Sequence, residues 1–388
     1  MRIAFFTDNY LPQTSGVATS VDYFAQQLTK IGHTVYIFAP KVRNYKDTND
    51  HIYRLSSVRL IPSLPEGARL PLPIFNRNFW KMVAFDFDLV HAHGNGAFPL
   101  LGLTVAKAKK IPFIQTFHIQ VENYAHYFFK GRLIKPGMMN KLLLKNLGNI
   151  CDGVIAPSEK MRKHLVKEGV AKNIQLIPNF VDFDKFKNIK KGFIHKICKI
   201  PASHPILLSV GRIGKEKNFE FLVKVLEVVS KDMKNIHLVI VGPDWGEISN
   251  LKKLSKQLHI EDKLHFTGNI AAEDIAKVYK DADIFVFAST SEVHPMVAIE
   301  AAASGLPLIV ANDAAYKGIV LNNKNGYLLP LEKESFGRKI IQLLNNPKLL
   351  KTLRLNSPKI AQKNFSPYLL TNRLISLYEK ILKQYSSH

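Results

Sequence analysis

Short, continuous apolar runs separated by stretches with one apolar helical face recur along the whole chain, and this alternation restricts the fold more than any other feature. The pattern opens with a strand at 2–7, a loop at 8–16, a helix at about 17–31, Gly32-His33 and a second strand at 34–39. Further runs stand at Leu89-Val90-His91-Ala92, Phe113-Ile114-Gln115-Thr116, Gly153-Val154-Ile155-Ala156 and Ile174-Gln175-Leu176-Ile177. Runs that do not alternate with polar residues are buried on both faces, the condition of strands in a parallel sheet covered by helices.

The rhythm lapses at 183–204, rich in Lys, Asn, Ile and His, and restarts after Pro205 with Ile206-Leu207-Leu208-Ser209-Val210. Strands follow near 236–241, 264–266, 284–287, 307–311 and 327–328. A chain of 388 residues is long enough for two cores. The expectation is two Rossmann-like, doubly wound α/β domains, 1–200 and 201–366. A terminal helix, 367–388, with Leu370, Leu374, Leu377 and Ile381 at helical spacing, is expected to pack back toward the first domain. Ligands of such sheets bind outside the carboxyl ends of the strands, so two of them facing each other predict a central cleft.

Two cysteines, Cys151 and Cys198, are too few for a disulfide framework or a cysteine zinc site and point to a reducing compartment. The first apolar run is shorter than the core of a secretion signal, and no run approaches the ~20 apolar residues of a membrane span. The expected location is therefore cytoplasmic, either free or resting on a membrane surface. The formal charge of +23 is uneven: residues 1–200 hold 29 Lys and Arg against 13 Asp and Glu, residues 201–388 hold 25 against 18. Such an excess fits nucleic acid, an anionic membrane, or simply a lysine-rich solvated surface.

Two constellations carry chemistry. In Ser291-Glu292-Val293-His294-Pro295-Met296-Val297-Ala298-Ile299-Glu300, a strand-ending loop enters an Ala-rich helix closed by Ser304-Gly305. Pro295 suits a helix start, and the free N–H groups there, near Met296 and Val297, favour an anion such as a diphosphate. Glu300, among Ile299 and Ala301 to Ala303, needs a ligand or fixed donor to satisfy its charge, unless it lies on a solvated face. The second constellation is Gly211-Arg212-Ile213-Gly214-Lys215-Glu216-Lys217-Asn218, which ends a strand and presents two cations, Arg212 and Lys217. A departing nucleoside diphosphate needs that neutralisation; an exposed basic loop is the plainer alternative.

The Gly-Arg-Ile-x-x-Glu-Lys-Asn turn, the Glu-x7-Glu-Ala spacing and Ser304-Gly305-Leu306-Pro307 together resemble the retaining glycosyltransferases of family 4, which have the GT-B fold. The resemblance runs over the whole chain through Asp8-Asn9-Tyr10-Leu11-Pro12, Ser15-Gly16-Val17, Val90-His91-Ala92-His93, Thr116-Phe117-His118, Pro178-Asn179-Phe180-Val181-Asp182, Phe266-Thr267-Gly268 and Asn325-Gly326. It implies a donor site of Gly16, Arg212, Lys217, Pro295, Met296, Val297 and Glu300. In that set Arg212 and Lys217 hold the diphosphate, Glu300 takes the ribose hydroxyls, and Gly16 lets backbone approach the phosphates. It also implies catalytic roles for Glu292, which faces the sugar, and for His118, near the reacting carbon. The acceptor hydroxyl attacks on the leaving-group side and the leaving phosphate takes its proton, so no strong base and no tightly bound cofactor or metal is implied, only a nucleotide sugar, UDP-linked in preference to GDP-linked.

The chain departs from the family pattern at Pro295 and Ser15, where glycines are usual, and at 313–318, which lacks a Gly-x-x-Glu. Three Asp-x-Asp triplets, at 86–88, 182–184 and 281–283, resemble metal ligands but read better as helix and turn boundaries. His118, Glu122, Tyr124, His126 and Tyr127 are similar to a pattern of bacterial diacylglycerol glucosyltransferases. Lys130, Arg132 and Lys135 interleave with Phe128, Phe129, Leu133 and Ile134, a strip suited to an anionic bilayer surface or to ordinary core packing. The expected reaction is hexosyl transfer to a lipid such as diacylglycerol at the inner face of the cell membrane. The alternatives are a mannosyl- or other hexosyltransferase acting on a phosphatidylinositol-like lipid or envelope glycan and, remotely, a basic nucleic-acid-binding protein, which lacks any recognition element here.

Overall fold

The computed structural model describes residues 1–13, 15–59, 69–72, 77–119 and 144–387. They form two compact units, Met1–Phe180 with Pro367–His388, and Val181–Ser366.

The first unit holds a seven-stranded sheet. Its strands in chain order are β1 (Arg2–Thr7), β2 (Thr34–Pro40), β3 (Ile52–Leu55), β6 (Leu89–His93), β7 (Phe113–Thr116), β8 (Gly153–Ala156) and β9 (Ile174–Leu176), arranged β3-β2-β1-β6-β7-β8-β9 and parallel throughout. Between β3 and β6 a short antiparallel ladder, β4 (Ser57–Arg59) with β5 (Arg69–Pro71), stands apart. Ile3, Ala4, Phe5 and Phe6 are wholly buried, and every residue of β6 is buried, as expected of strands covered on both faces. The terminal helix Pro367–Ser386 belongs to this unit. Its Leu370, Leu374, Tyr378 and Ile381 are buried, and Ile381 fills the space that a side chain at Gly153 would need.

The second unit repeats the scheme with β10 (Ile206–Val210), β11 (His237–Val241), β12 (Leu264–Gly268), β13 (Ile284–Phe287), β14 (Leu308–Ala311) and β15 (Gly326–Leu329). Their order is β12-β11-β10-β13-β14-β15, again all parallel. Counted within each unit, both sheets contain the order 3-2-1-4-5-6, which places a topological switch point between the first and fourth strands. In the first unit it lies between β1 and β6, in the second between β10 and β13.

The segment 181–200, assigned to the first domain on its sequence, clusters with the second unit. The cause is a distant carboxylate: buried Asp281 accepts from the backbone N–H groups of Gly192 and Ile194, both at 2.6 Å. Asp283 likewise accepts from Ile206 N and pairs with Arg354, while Asp88 takes Arg2 N and Asp182 takes Asp184 N. The triplets thus engage backbone N–H groups and basic side chains, Asp184 pairing with Lys187 at 2.7 Å. Among the described residues no helix is long and apolar enough to cross a membrane.

Candidate active site

At the carboxyl end of the second sheet the chain after β10 passes extremely close to the chain after β11. Gly211 and Gly242 both have positive φ, and a Cβ on Gly242 would lie 2.0 Å from the Gly211 carbonyl oxygen. Only glycine permits this approach. Backbone bonds then zip the two loops together, Ile213 N to Pro243 O at 2.8 Å and Trp245 N to Ile213 O at 3.0 Å. The zipper carries Trp245 under Arg212, whose guanidinium lies 4.3 Å from the ring centroid, a cation–π contact that fixes a long side chain.

Lys217 closes the turn Lys215–Lys217 and is buried, and Asn218 with φ 56 starts the helix Phe219–Asp232. The ammonium group of Lys217 bonds directly to Glu292, so the two residues expected to hold phosphate and sugar hold each other in this structure. Both side chains are mostly covered, 11% and 15% exposed, which makes the pair far more than a surface ion pair. The loop carrying Glu292 is itself fastened. Ser289 and Ser291 donate to the Glu216 carbonyl at 3.3 and 3.1 Å, and the phenol of buried Tyr316 donates to the Ser289 carbonyl at 2.6 Å.

Pro295, at φ −72, caps the helix Met296–Ala303, and its carbonyl accepts from Ala298 N and Ile299 N. The first-turn N–H groups of Met296 and Val297 have no acceptor within the helix, as at any helix start. Proline at the cap therefore removes its own N–H and leaves these two. One turn further on, Glu300 accepts the Tyr279 hydroxyl at 2.7 Å. Burial pushes the Glu300 carboxyl up to about 7, against the Tyr279 bond and the nearby Lys185, which pull it down.

The switch point of the first unit has a different character. Asp8, after β1, is buried and accepts from Gly96 N at 2.8 Å and Phe98 N at 3.1 Å, capping the helix Ala97–Lys109; burial pushes its carboxyl up to about 7. Gly16 is the first residue of the helix Gly16–Lys30, and Ser15 is its cap, its hydroxyl accepting from Ala18 N. The serine that departs from the family pattern thus does a defined local job.

His91 and His93 lie two apart on one face of β6, and His118 follows β7. Nδ1 of His93 meets Nε2 of His118 at 3.2 Å, while His91 bonds to Tyr378 Oη at 2.6 Å and Thr116 Oγ1 at 2.7 Å. Burial lowers all three histidines, His118 to about 4, His91 to about 3 and His93 well below its ordinary value, so the cluster is neutral at physiological pH. With Asn179, Phe24 and Leu374 they line a small cavity.

The structure therefore brings Arg212, Lys217, Glu292, Pro295, Met296, Val297 and Glu300 to one sheet end of the second unit, and Gly16 and His118 to the corresponding end of the first. Glu122, Tyr124, His126, Lys130, Arg132 and Lys135 lie outside the described residues. Sequence reasoning missed Tyr279, Tyr316, Trp245 and His93. Trp245 carried a signal, as an aromatic in a Gly-Pro-Asp-Trp-Gly turn after a strand; the tyrosines carried none.

Two parallel-sheet Rossmann-like units of this order are the architecture of the GT-B fold. Residues 14–185 match the family model described as Glycosyltransferase Family 4, and residues 190–360 match that of Glycosyl transferases group 1. The chain is 34% identical over 375 residues to the alpha-monoglucosyldiacylglycerol synthase of Streptococcus pneumoniae, covering 94% of this chain and 83% of that protein. It is 28% identical over 394 residues to the enzyme of the same name from Acholeplasma laidlawii, covering 97% and 96%. Among solved structures, Anabaena HepE in complex with UDP and glucose superposes with a TM-score of 0.78 at 18% identity, over 98% of this chain and 100% of that one. The chain belongs to the family 4 glycosyltransferases.

Proposed function

We propose that this glycosyltransferase moves a glucosyl residue from UDP-glucose to diacylglycerol, with retention of the anomeric configuration, at the inner face of the cell membrane. The observation that carries the reading is the concentration of Arg212, Lys217, Glu292, the helix start at Met296 and Glu300 around one switch point. Arg212 and Lys217 neutralise the diphosphate as the bond from the anomeric carbon to the phosphate oxygen breaks. Lys217 has three donors and shares them between Glu292 and the phosphate. The N–H groups of Met296 and Val297 add the dipole of a helix start. Glu300 accepts the two ribose hydroxyls.

The acceptor oxygen forms its bond to the anomeric carbon on the face the phosphate leaves, and its proton passes to a phosphate oxygen. No side chain then has to be a strong base, which suits the neutral histidines of the first unit; His118 serves as a polar stabiliser. Glucose and diacylglycerol are supported by the names of the two relatives above. A UDP donor is supported by the UDP-bound neighbour. A membrane surface is supported by the charge of residues 1–200 and by Trp80, which is 59% exposed on the helix Arg77–Ala84 beside Lys81.

The test is incubation of the full chain with UDP-, GDP- and ADP-sugars and diacylglycerol presented in vesicles with and without acidic lipid. Monoglucosyldiacylglycerol with an α linkage, formed from UDP-glucose and faster on acidic vesicles, is the expected product. Product from GDP-mannose alone would replace the donor assignment, consistent with a GDP-mannose-dependent relative from Mycobacterium tuberculosis at 25% identity over 85% of this chain.

A further inference from the structure

Tyr279 lies on the helix Ile275–Asp281, away from the glycine-rich turns that mark the donor site, and its phenol ends on Glu300 Oε2 at 2.7 Å. The ring is wholly buried. It meets Phe186 edge-on, with centroids 6.0 Å apart at 71°, and lies tilted against Phe285 at 6.3 Å. These rings come from the turn Phe183–Phe186 and from β13, so the phenol is held from two sides and its hydroxyl has a fixed direction.

Resting on the donor reading above, we propose that Tyr279 is the positioning residue of Glu300, occupying Oε2 so that Oε1 faces the donor and holding the group as a hydrogen-bond acceptor. A carboxylate that receives a vicinal diol must accept twice, and only the ionised form offers acceptors at both oxygens. The helix around Glu300 works against that form, since Ile299, Ala301, Ala302 and Ala303 are all buried. Burial pushes the carboxyl up to about 7, the Tyr279 bond is the larger of the two influences opposing it, and Lys185 from the turn Phe183–Phe186 is the other. Arg354, on the packed helix Pro347–Phe365, spends its guanidinium on Asp283 and the carbonyls of Ala282 and Asp283. Asp281, at the end of the tyrosine's own helix, is engaged by Gly192 and Ile194. The phenol hydroxyl is therefore the lever on Glu300 that a single-atom deletion can remove without disturbing the packing.

The experiment is Tyr279→Phe in the full chain, with kcat and the donor KM for UDP-glucose measured from pH 6 to 9. The expected result is an acidic limb of kcat/KM displaced upward by about one pH unit, which at pH 7 raises the donor KM about fivefold with kcat changed less than about threefold. At pH 9 variant and wild type converge, because Glu300 is ionised in both. A deficit equal at every pH, or none at pH 7, overturns the proposal. Replacing Tyr279 by 3-fluorotyrosine, a near-isosteric and stronger donor, is expected to move the limb downward, and an upward or absent shift counts against it even if the phenylalanine variant folds poorly. Glu300→Gln separates the two levels. Unchanged donor binding in that variant defeats the donor assignment itself, whereas lost binding there with an unshifted Tyr279→Phe profile defeats only the positioning role.

Discussion

The two units share a strand order and differ in what they place at the switch point. In the second, a cation–π-anchored arginine, a buried Lys–Glu pair and a carboxyl pushed up to about 7 crowd the ends of β10 and β13. In the first, the ends of β6 and β7 carry three histidines that burial keeps neutral. Each end also holds a carboxyl pushed up to about 7, Asp8 in the first unit and Glu300 in the second, so what separates them is the fixed cations of the second, set by side chains on one backbone plan. The charged end suits a diphosphate, whose developing negative charge needs fixed cations. The end without fixed cations suits a hydroxyl acceptor that gives up its proton to the leaving group.

The largest effect that sharpens this contrast falls on Lys217. Lys217→Ala is expected to lower turnover by roughly 10²–10³, in the range for removal of a preorganised electrostatic group. It also leaves Glu292 buried and unpaired, with a stability loss on the order of 3 kcal/mol. Adding Glu292→Gln should restore most of that stability and none of the turnover, measured by thermal unfolding alongside sugar transfer. Recovery of turnover in the double variant would break the assignment of Lys217 to the donor.

A second effect separates Glu300 from the histidines of the first unit by the sign of their pH dependence. Glu300 has a folded value above its unfolded one, so its ionisation works against the fold: the contribution is full below about 4.5 and lost as pH rises through about 7. Glu300→Gln should therefore stabilise the protein at pH 8, by up to about 3 kcal/mol for a shift of that size, and leave stability near pH 4 unaltered, while lowering transfer by less than Lys217→Ala does. His91 and His118 have folded values below their unfolded ones, so their contribution is present above about 6.5 and lost as pH falls toward 4 and 3. His118→Phe should flatten that acidic loss, read from unfolding curves between pH 4 and 7. The same slope in both variants would erase the distinction between the two ends.

The smallest expected effect tests the scaffolding. Tyr316→Phe removes one hydrogen bond to the Ser289 carbonyl and should cost about 1 kcal/mol with a severalfold rise in donor KM, since the loop carrying Glu292 loses one fastening.

The strands were readable because parallel sheets favour apolar runs; β1 and β13 have them, and β10 is interrupted only by Ser209. Edge strand β3, Ile-Tyr-Arg-Leu, is only half-buried and has no such run, so it was missed along with the helix Arg77–Ala84. The residues proposed for the donor stood out as motifs, glycine and cations at a strand-to-helix turn. Their partners were not. Tyr279 and Tyr316 act on groups 21 and 27 residues away, and Asp281 on a segment 87 to 89 residues away, at distances where no local pattern reports the contact. The pairing of Lys217 with Glu292, 75 residues apart, is of the same kind, and it turns two separately expected donor contacts into one coupled unit.

The most direct test of a donor diphosphate held by the cations of the second unit is calorimetric titration of UDP into the wild type, Lys217→Ala and His118→Phe. The account predicts binding to the wild type, affinity reduced at least about thirtyfold in Lys217→Ala, or ~2 kcal/mol, and affinity unchanged within about twofold in His118→Phe. Equal binding of UDP by Lys217→Ala and the wild type would contradict it.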